Sequence, residues 1–191
     1  MRSITISVGY GWASEQPVNL DKRWQELRDF CKSVASQGRN QAAASLKNAV
    51  SDDADETTRT GKLIPNVTVS RLRSTAGRFI WESITKKIQE SDILVFDITP
   101  TKIKDDGSAR VAENVWLEIG YALALKPDSV YLVHVDSKGY KSLPSDLSGL
   151  TVGTVTRALA KEEDRSLRAS LAGAVRKKCL EIIASGSDFN H

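Results

Sequence analysis

Apolar and polar positions alternate with period two in ITISVGYG, and the run closes on Gly9, Tyr10 and Gly11, so a strand is expected to feed a permissive loop. From residue 20 the period changes. Trp24, Leu27, Phe30, Cys31 and Val34 recur every three or four positions, which predicts an amphipathic helix over 20 to about 36. Over 36–62 the pattern lapses: a helix-capable, alanine-rich piece gives way to an acidic, threonine-rich stretch, read as a polar and partly mobile insertion.

The segment NVTVSRL predicts a second strand, and RSTAGR leads into a helix with Phe79, Ile80, Ile84 and Ile88 on one face. DILVFDI is almost continuously apolar and rich in β-branched residues, the mark of a central strand covered on both faces. NVWLEIGYALAL reads as a helix stopped by Lys126 and Pro127. SVYLVHV is the next strand, SLPSDLSGL an irregular connection and TVGTVT a last strand at an edge. Residues 161–185 form a long final helix, with Leu167, Leu171, Val175, Cys179 and Ile183 four apart.

Strands and helices that alternate in this way specify an α/β fold: a flavodoxin- or Rossmann-like three-layer sandwich around a mostly parallel five-stranded sheet. The length favours a single domain over 1–191, carrying the insertion at 36–62 and the helix at 161–185. Such sheets bind ligands beyond the carboxyl ends of their strands, where Gly9, Tyr10, Arg71, Arg73 and Asp97 fall.

Composition removes several function classes. With 27 basic and 24 acidic side chains the net charge is +3, too small to imply direct nucleic-acid binding. No apolar run approaches a membrane span, and the first residues lack the apolar core of a signal peptide, so a cytoplasmic protein is expected. Cys31 and Cys179 stand far apart without further cysteines; both are expected to serve as small apolar residues, with no disulfide, metal or cofactor.

The candidate chemistry lies in two carboxylates. Asp97 ends the central strand, and Glu118 interrupts an otherwise apolar helix. Each has a plain alternative: Glu118 as a solvent-facing residue, Asp97 as a turn residue closing the strand. Asn114 precedes Glu118 by about one turn, so both side chains fall on one helical face. Placed near a helix start, Glu118 is expected to ionise more readily, since the positive end of the helix favours the charged form. Partial burial of the two carboxyls near one another is expected to raise the pKa of one of them. Arg71, Arg73 and Arg78, set among Ser74, Thr75 and Gly77, form either a phosphate site or a solvated basic loop. Tyr10 is a pocket wall or a packed residue; His134 is read as a core histidine, and Trp12, Trp24, Trp81 and Trp116 as mainly core. The small Gly120 and Ala122 allow close packing of helix on sheet.

An apolar strand ending in Asp-x-Thr, a variable loop and then NVWLEIGYALALKP resembles the nucleoside 2-deoxyribosyltransferase superfamily, which includes 2′-deoxynucleotide N-hydrolases and TIR-like nucleotide-binding domains. The resemblance runs from about residue 78 to 134. It implies that Glu118 is the nucleophile or electrostatic partner at the anomeric carbon of a ribosyl ring, and that Asp97 contacts or protonates the departing base. It further implies a nucleoside, nucleotide or NAD ligand and a homodimer or larger assembly. The loop from Thr99 to Glu113 and the stretch 36–62 depart from that group. Three readings follow: cleavage or transfer at an N-glycosidic bond, the favoured one; a non-catalytic TIR-like nucleotide sensor; and an interaction domain dimerising through its last helix.

Overall fold

The computed structural model describes residues 2–11, 20–49, 64–72, 80–100, 102–103, 109–135, 151–155 and 162–187, with the strands at 102–103, 109–110 and 151–155 described by their backbone. In chain order the elements are β1 (Ile4–Tyr10), α1 (Leu20–Ala49), β2 (Val67–Arg71), α2 (Ile80–Glu90), β3 (Ile93–Asp97), β4 (Lys102–Ile103), β5 (Ala109–Arg110), α3 (Glu113–Leu125), a 3-10 turn (Pro127–Ser129), β6 (Val130–Val135), β7 (Thr151–Val155) and α4 (Glu162–Ser187).

The sheet runs β2-β1-β3-β6-β7, and every neighbouring pair is parallel. Four strands, β2, β1, β3 and β6, form its body, and β7 joins β6 along the edge through backbone pairing. A separate ribbon of β4 and β5 pairs antiparallel within the loop that precedes α3. With that ribbon set aside, the order is that of flavodoxin-like sheets, in which the chain reverses direction between β1 and β3.

Period-two alternation divides the core in two. Ile4, Ile6, Val8 and Tyr10 of β1 share one face with Ile93 and Val95 of β3 and Tyr131 and Val133 of β6, under α1 and α4. Leu94 and Phe96 of β3 and Val130 and Leu132 of β6 face the other way, against Ile84 and Ile88 of α2 and Val115, Ile119 and Ala122 of α3. Ser7 also lies on this second side, where its hydroxyl bonds to Ser70 at 3.0 Å and to Ser91 at 2.6 Å, so a buried polar position is satisfied. All five residues of β3 are buried, as the continuous apolar run led one to expect.

Helix α1 does not end near residue 36; it continues to Ala49, so the first part of the expected insertion is helical and residues 50–62 lie outside the description. The cause is packing against α4. A Cβ at Gly38 would stand 2.6 Å from the Ala172 carbonyl oxygen and 2.7 Å from the Val175 Cβ, which measures how closely the two helices approach. Ala42 continues the contact, fully buried. Small residues at such a crossing leave almost no hydrophobic stripe to read. Helix α4 matches its expected span within two residues at either end, and its Leu167, Leu171, Val175 and Cys179 are all buried. Burial pushes the Cys31 thiol up to about 12, so it is an inert apolar group.

Two expectations about packing fail. Gly120 is exposed, and a Cβ there would meet nothing within 4 Å, so close helix–sheet contact comes from Ala122 instead. Trp81 is also exposed, edge-on to Tyr121 at 5.7 Å, whereas Trp24 and Trp116 pack partly buried against the two cores. Trp12 falls outside the described residues.

Candidate functional site

Parallel strands bring Gly9 and Tyr10 of β1 into register with Phe96 and Asp97 of β3 at the carboxyl edge, on the two sides of the chain reversal. Each helix that follows a strand of this sheet begins at the same edge, so positive helix ends converge there. Ala112, the residue before helix α3, provides no side-chain cap, which leaves the first amides of the helix to other acceptors.

Glu118 is buried at 2% exposure in the second turn of α3. Its carboxylate lies on Gly9: a Cβ added there would be 3.0 Å from Glu118 Oε2 and 2.5 Å from the Phe96 ring. The glycine, which lies within β1 and pairs with Phe96, is therefore a clearance for the carboxylate and the ring. Among the described residues Glu118 Oε2 accepts no hydrogen bond, and neither does the neighbouring Asn114 Nδ2 donate one of good geometry. Burial raises the Glu118 carboxyl to about 7, opposed by the Asn114 side chain one turn earlier. The expected stabilisation of the anion by the helix end is thus outweighed by desolvation, because the dipole's influence fades beyond the first turn.

Asp97 is equally buried, but strand alternation turns it to the α1 side with Ile93 and Val95, away from α3. Its Oδ2 forms an ion pair with Arg23 Nε at 3.0 Å, short of hydrogen-bond geometry, and its Oδ1 accepts from the Thr99 amide at 2.8 Å and from the Thr99 hydroxyl. Burial, the largest influence, holds the carboxyl above its ordinary value; Arg23 and the Thr99 bonds pull it down without cancelling that rise, to which Glu26 adds. Glu118 is not among the causes. The two carboxylates share the edge of the sheet and lie on opposite faces of it.

Tyr10 stands on the Asp97 side, its ring stacked on Trp24 with centroids 6.4 Å apart, and the Arg71 guanidinium lies over the same indole at 4.6 Å. Arg71 also reaches Asp21 at 3.5 Å. Arg73 and Arg78, the other members of the expected phosphate site, lie outside the described residues. His134 is buried near the carboxyl end of β6, and burial lowers its basicity.

Arg23 was not legible in sequence as a site residue. It lies among charged neighbours at the start of α1, and its partner Asp97 is distant along the chain.

Residues 38–157, more than half of the chain, match the family model described as CAP12/Pycsar effector protein, TIR domain. The chain belongs to this TIR-domain family. The matched part of the TIR domain holds β2 through β7 and with them Arg71, Asp97, Asn114 and Glu118; Gly9, Tyr10 and Arg23 precede it. Of the resemblance drawn from sequence, the TIR part is thereby shown. No curated protein matches the sequence. Among solved structures, an oxidoreductase from Corynebacterium diphtheriae aligns with the TIR domain at 12% identity and a TM-score of 0.43, covering 94% of this chain and 98% of that one, a likeness too slight to bear on function. Among the described residues no helix is long and apolar enough to cross a membrane, and no cluster of metal-ligating side chains occurs.

Proposed function

We propose that this TIR domain cleaves the N-glycosidic bond of a nucleotide, NAD foremost, with Glu118 at the anomeric carbon. The observation that carries the reading is the Glu118 carboxylate: 2% exposed, its Oε2 without a hydrogen bond, facing the bare backbone of Gly9 at the sheet's reversal point. Cleavage passes through an oxocarbenium-like state, which a buried anionic oxygen stabilises electrostatically or captures covalently. The C1′–N bond breaks, its electron pair leaves with the base, and water supplies a hydroxyl to C1′ while its second proton goes to solvent.

NAD suits this arrangement better than an ordinary nucleotide. Its nicotinamide nitrogen is already cationic in the substrate, so the base departs neutral and needs no proton donor. That fits a site in which Asp97 faces the other side of the sheet. Tyr10 and Arg71 on that side, together with Arg73 and Arg78, are proposed to bind more distant parts of the ligand, and Asn114 to orient Glu118. The family's description as an effector protein favours a second reading, a module that binds a nucleotide and signals by assembly into a dimer or larger species.

A chromatographic assay of base release separates the two. The protein is offered NAD and a panel of nucleotides and 2′-deoxynucleotides beside a Glu118→Gln variant. Release that vanishes in the variant is the outcome expected of an N-glycosidase. No release, with ligand raising the melting temperature of a folded protein, would sink the catalytic reading and leave the sensor.

A further inference from the structure

We infer that Arg23 is a positioning residue of the TIR site, clamping Asp97 as a latch between the start of α1 and the loop that leaves β3 toward α3. Asp97 has both oxygens committed: Oδ2 to the guanidinium of Arg23, Oδ1 to the amide and hydroxyl of Thr99. The side chains are deeply placed, with Arg23 at 11% exposure and Asp97 at 1%. A carboxylate that accepts from the amide two residues on closes an Asx turn, and this one sets the direction in which the chain departs for Pro100 and eventually Glu118.

The charge balance gives Arg23 its importance. An anion this buried is tolerated only when a cation compensates it, and the guanidinium is the compensating group that meets Asp97. Without Arg23, Asp97 takes up a proton or turns toward water, and either change weakens its hold on Thr99. A second link joins the same elements, since Trp24, next to Arg23, stacks on Tyr10, the register partner of Asp97. The start of α1, the end of β1 and the exit of β3 thus form one unit beside the edge on which Glu118 lies.

This inference rests on reading that edge as the site of base release, so its test includes a readout that does not. In the full chain, Arg23→Gln, Arg23→Lys, Asp97→Asn and the Arg23→Gln/Asp97→Asn pair are compared by hydrogen exchange at the Thr99 amide and by kcat and KM for base release across pH. Expected is faster Thr99 exchange in Arg23→Gln and Asp97→Asn, by about tenfold or more, with Arg23→Lys in between. Each single variant loses about ten- to a hundredfold in kcat/KM, with an unaltered pH profile. The double variant loses no more than either alone, as members of one unit do. Unchanged Thr99 exchange in Arg23→Gln overturns the latch. So does an Asp97→Asn variant that erases one limb of the pH profile while Arg23→Gln keeps full activity, for Asp97 would then be a proton donor. If the native protein releases no base, the function reading fails and the exchange arm still decides the latch.

Discussion

The carboxylate of Glu118 occupies the space in which a side chain at residue 9 would lie, since a Cβ on Gly9 would come within 3.0 Å of Glu118 Oε2. One position on β1 thereby controls the placement of a group carried by α3, more than a hundred residues later.

Replacing Gly9 with alanine therefore acts twice. The added methyl also falls 2.5 Å from the fully buried Phe96 ring, so the ring and the carboxylate must both move. Overpacking of this kind costs about 1–3 kcal/mol. Urea unfolding should show that loss, and base release should fall by far more than the remaining folded fraction explains. A variant with native turnover would show that Glu118 need not rest on this strand.

Glu118 should make the protein less stable as pH rises. Its folded value of about 7 lies above the ordinary 4.5, so the folded chain holds the proton more tightly than the unfolded chain does. The penalty is absent below about 4.5, grows through the interval up to about 7 and is complete above it. A rise from 4.5 to about 7 corresponds to at most about 3 kcal/mol. Glu118→Gln should accordingly be more stable than the native protein at pH 8, with the gain shrinking toward pH 5 in thermal melts. An equal effect at both pH values would show that the carboxylate is not desolvated.

If the ionised carboxylate is the catalytic form, kcat/KM for base release should climb with pH and reach half its maximum near the folded value of about 7. A cationic substrate favours the anion, so the corresponding limb of kcat should fall at lower pH. A flat profile from pH 5.5 to 8 would assign the chemistry to another group.

Gly38→Ala sets two effects against each other. Alanine improves helix propensity by about 1 kcal/mol. Against that, the new Cβ would meet the Ala172 carbonyl at 2.6 Å, a backbone atom that cannot move aside without shifting α4. Overpacking costs about 1–3 kcal/mol, so the clash should win with a net loss of up to about 2 kcal/mol in denaturant unfolding and no change in the pH profile of any activity. A stabilised variant would mean that α1 and α4 are free to separate.

The sequence by itself determined the alternation of strands and helices, the central position of DILVFDI, the stop at Lys126 and Pro127, and the presence of carboxylates on β3 and α3. These are local properties, written in periods of two and of three to four and in the chain's punctuation. What only the tertiary structure decided concerns partners distant along the chain. The face on which Asp97 lies was hidden because β3 is apolar on both sides, and a continuous apolar run carries no period from which to assign sides. Helix α1 outlasts its hydrophobic stripe because Gly38 and Ala42 are stabilised by closeness to α4 rather than by their own hydrophobicity. Glu118 is neither exposed nor held ionised by its helix, since its environment is set by Gly9 and Phe96. Arg23 acquires its place only when folding carries Asp97 to it, because ion pairing depends on distance in space and leaves no trace in the spacing of residues.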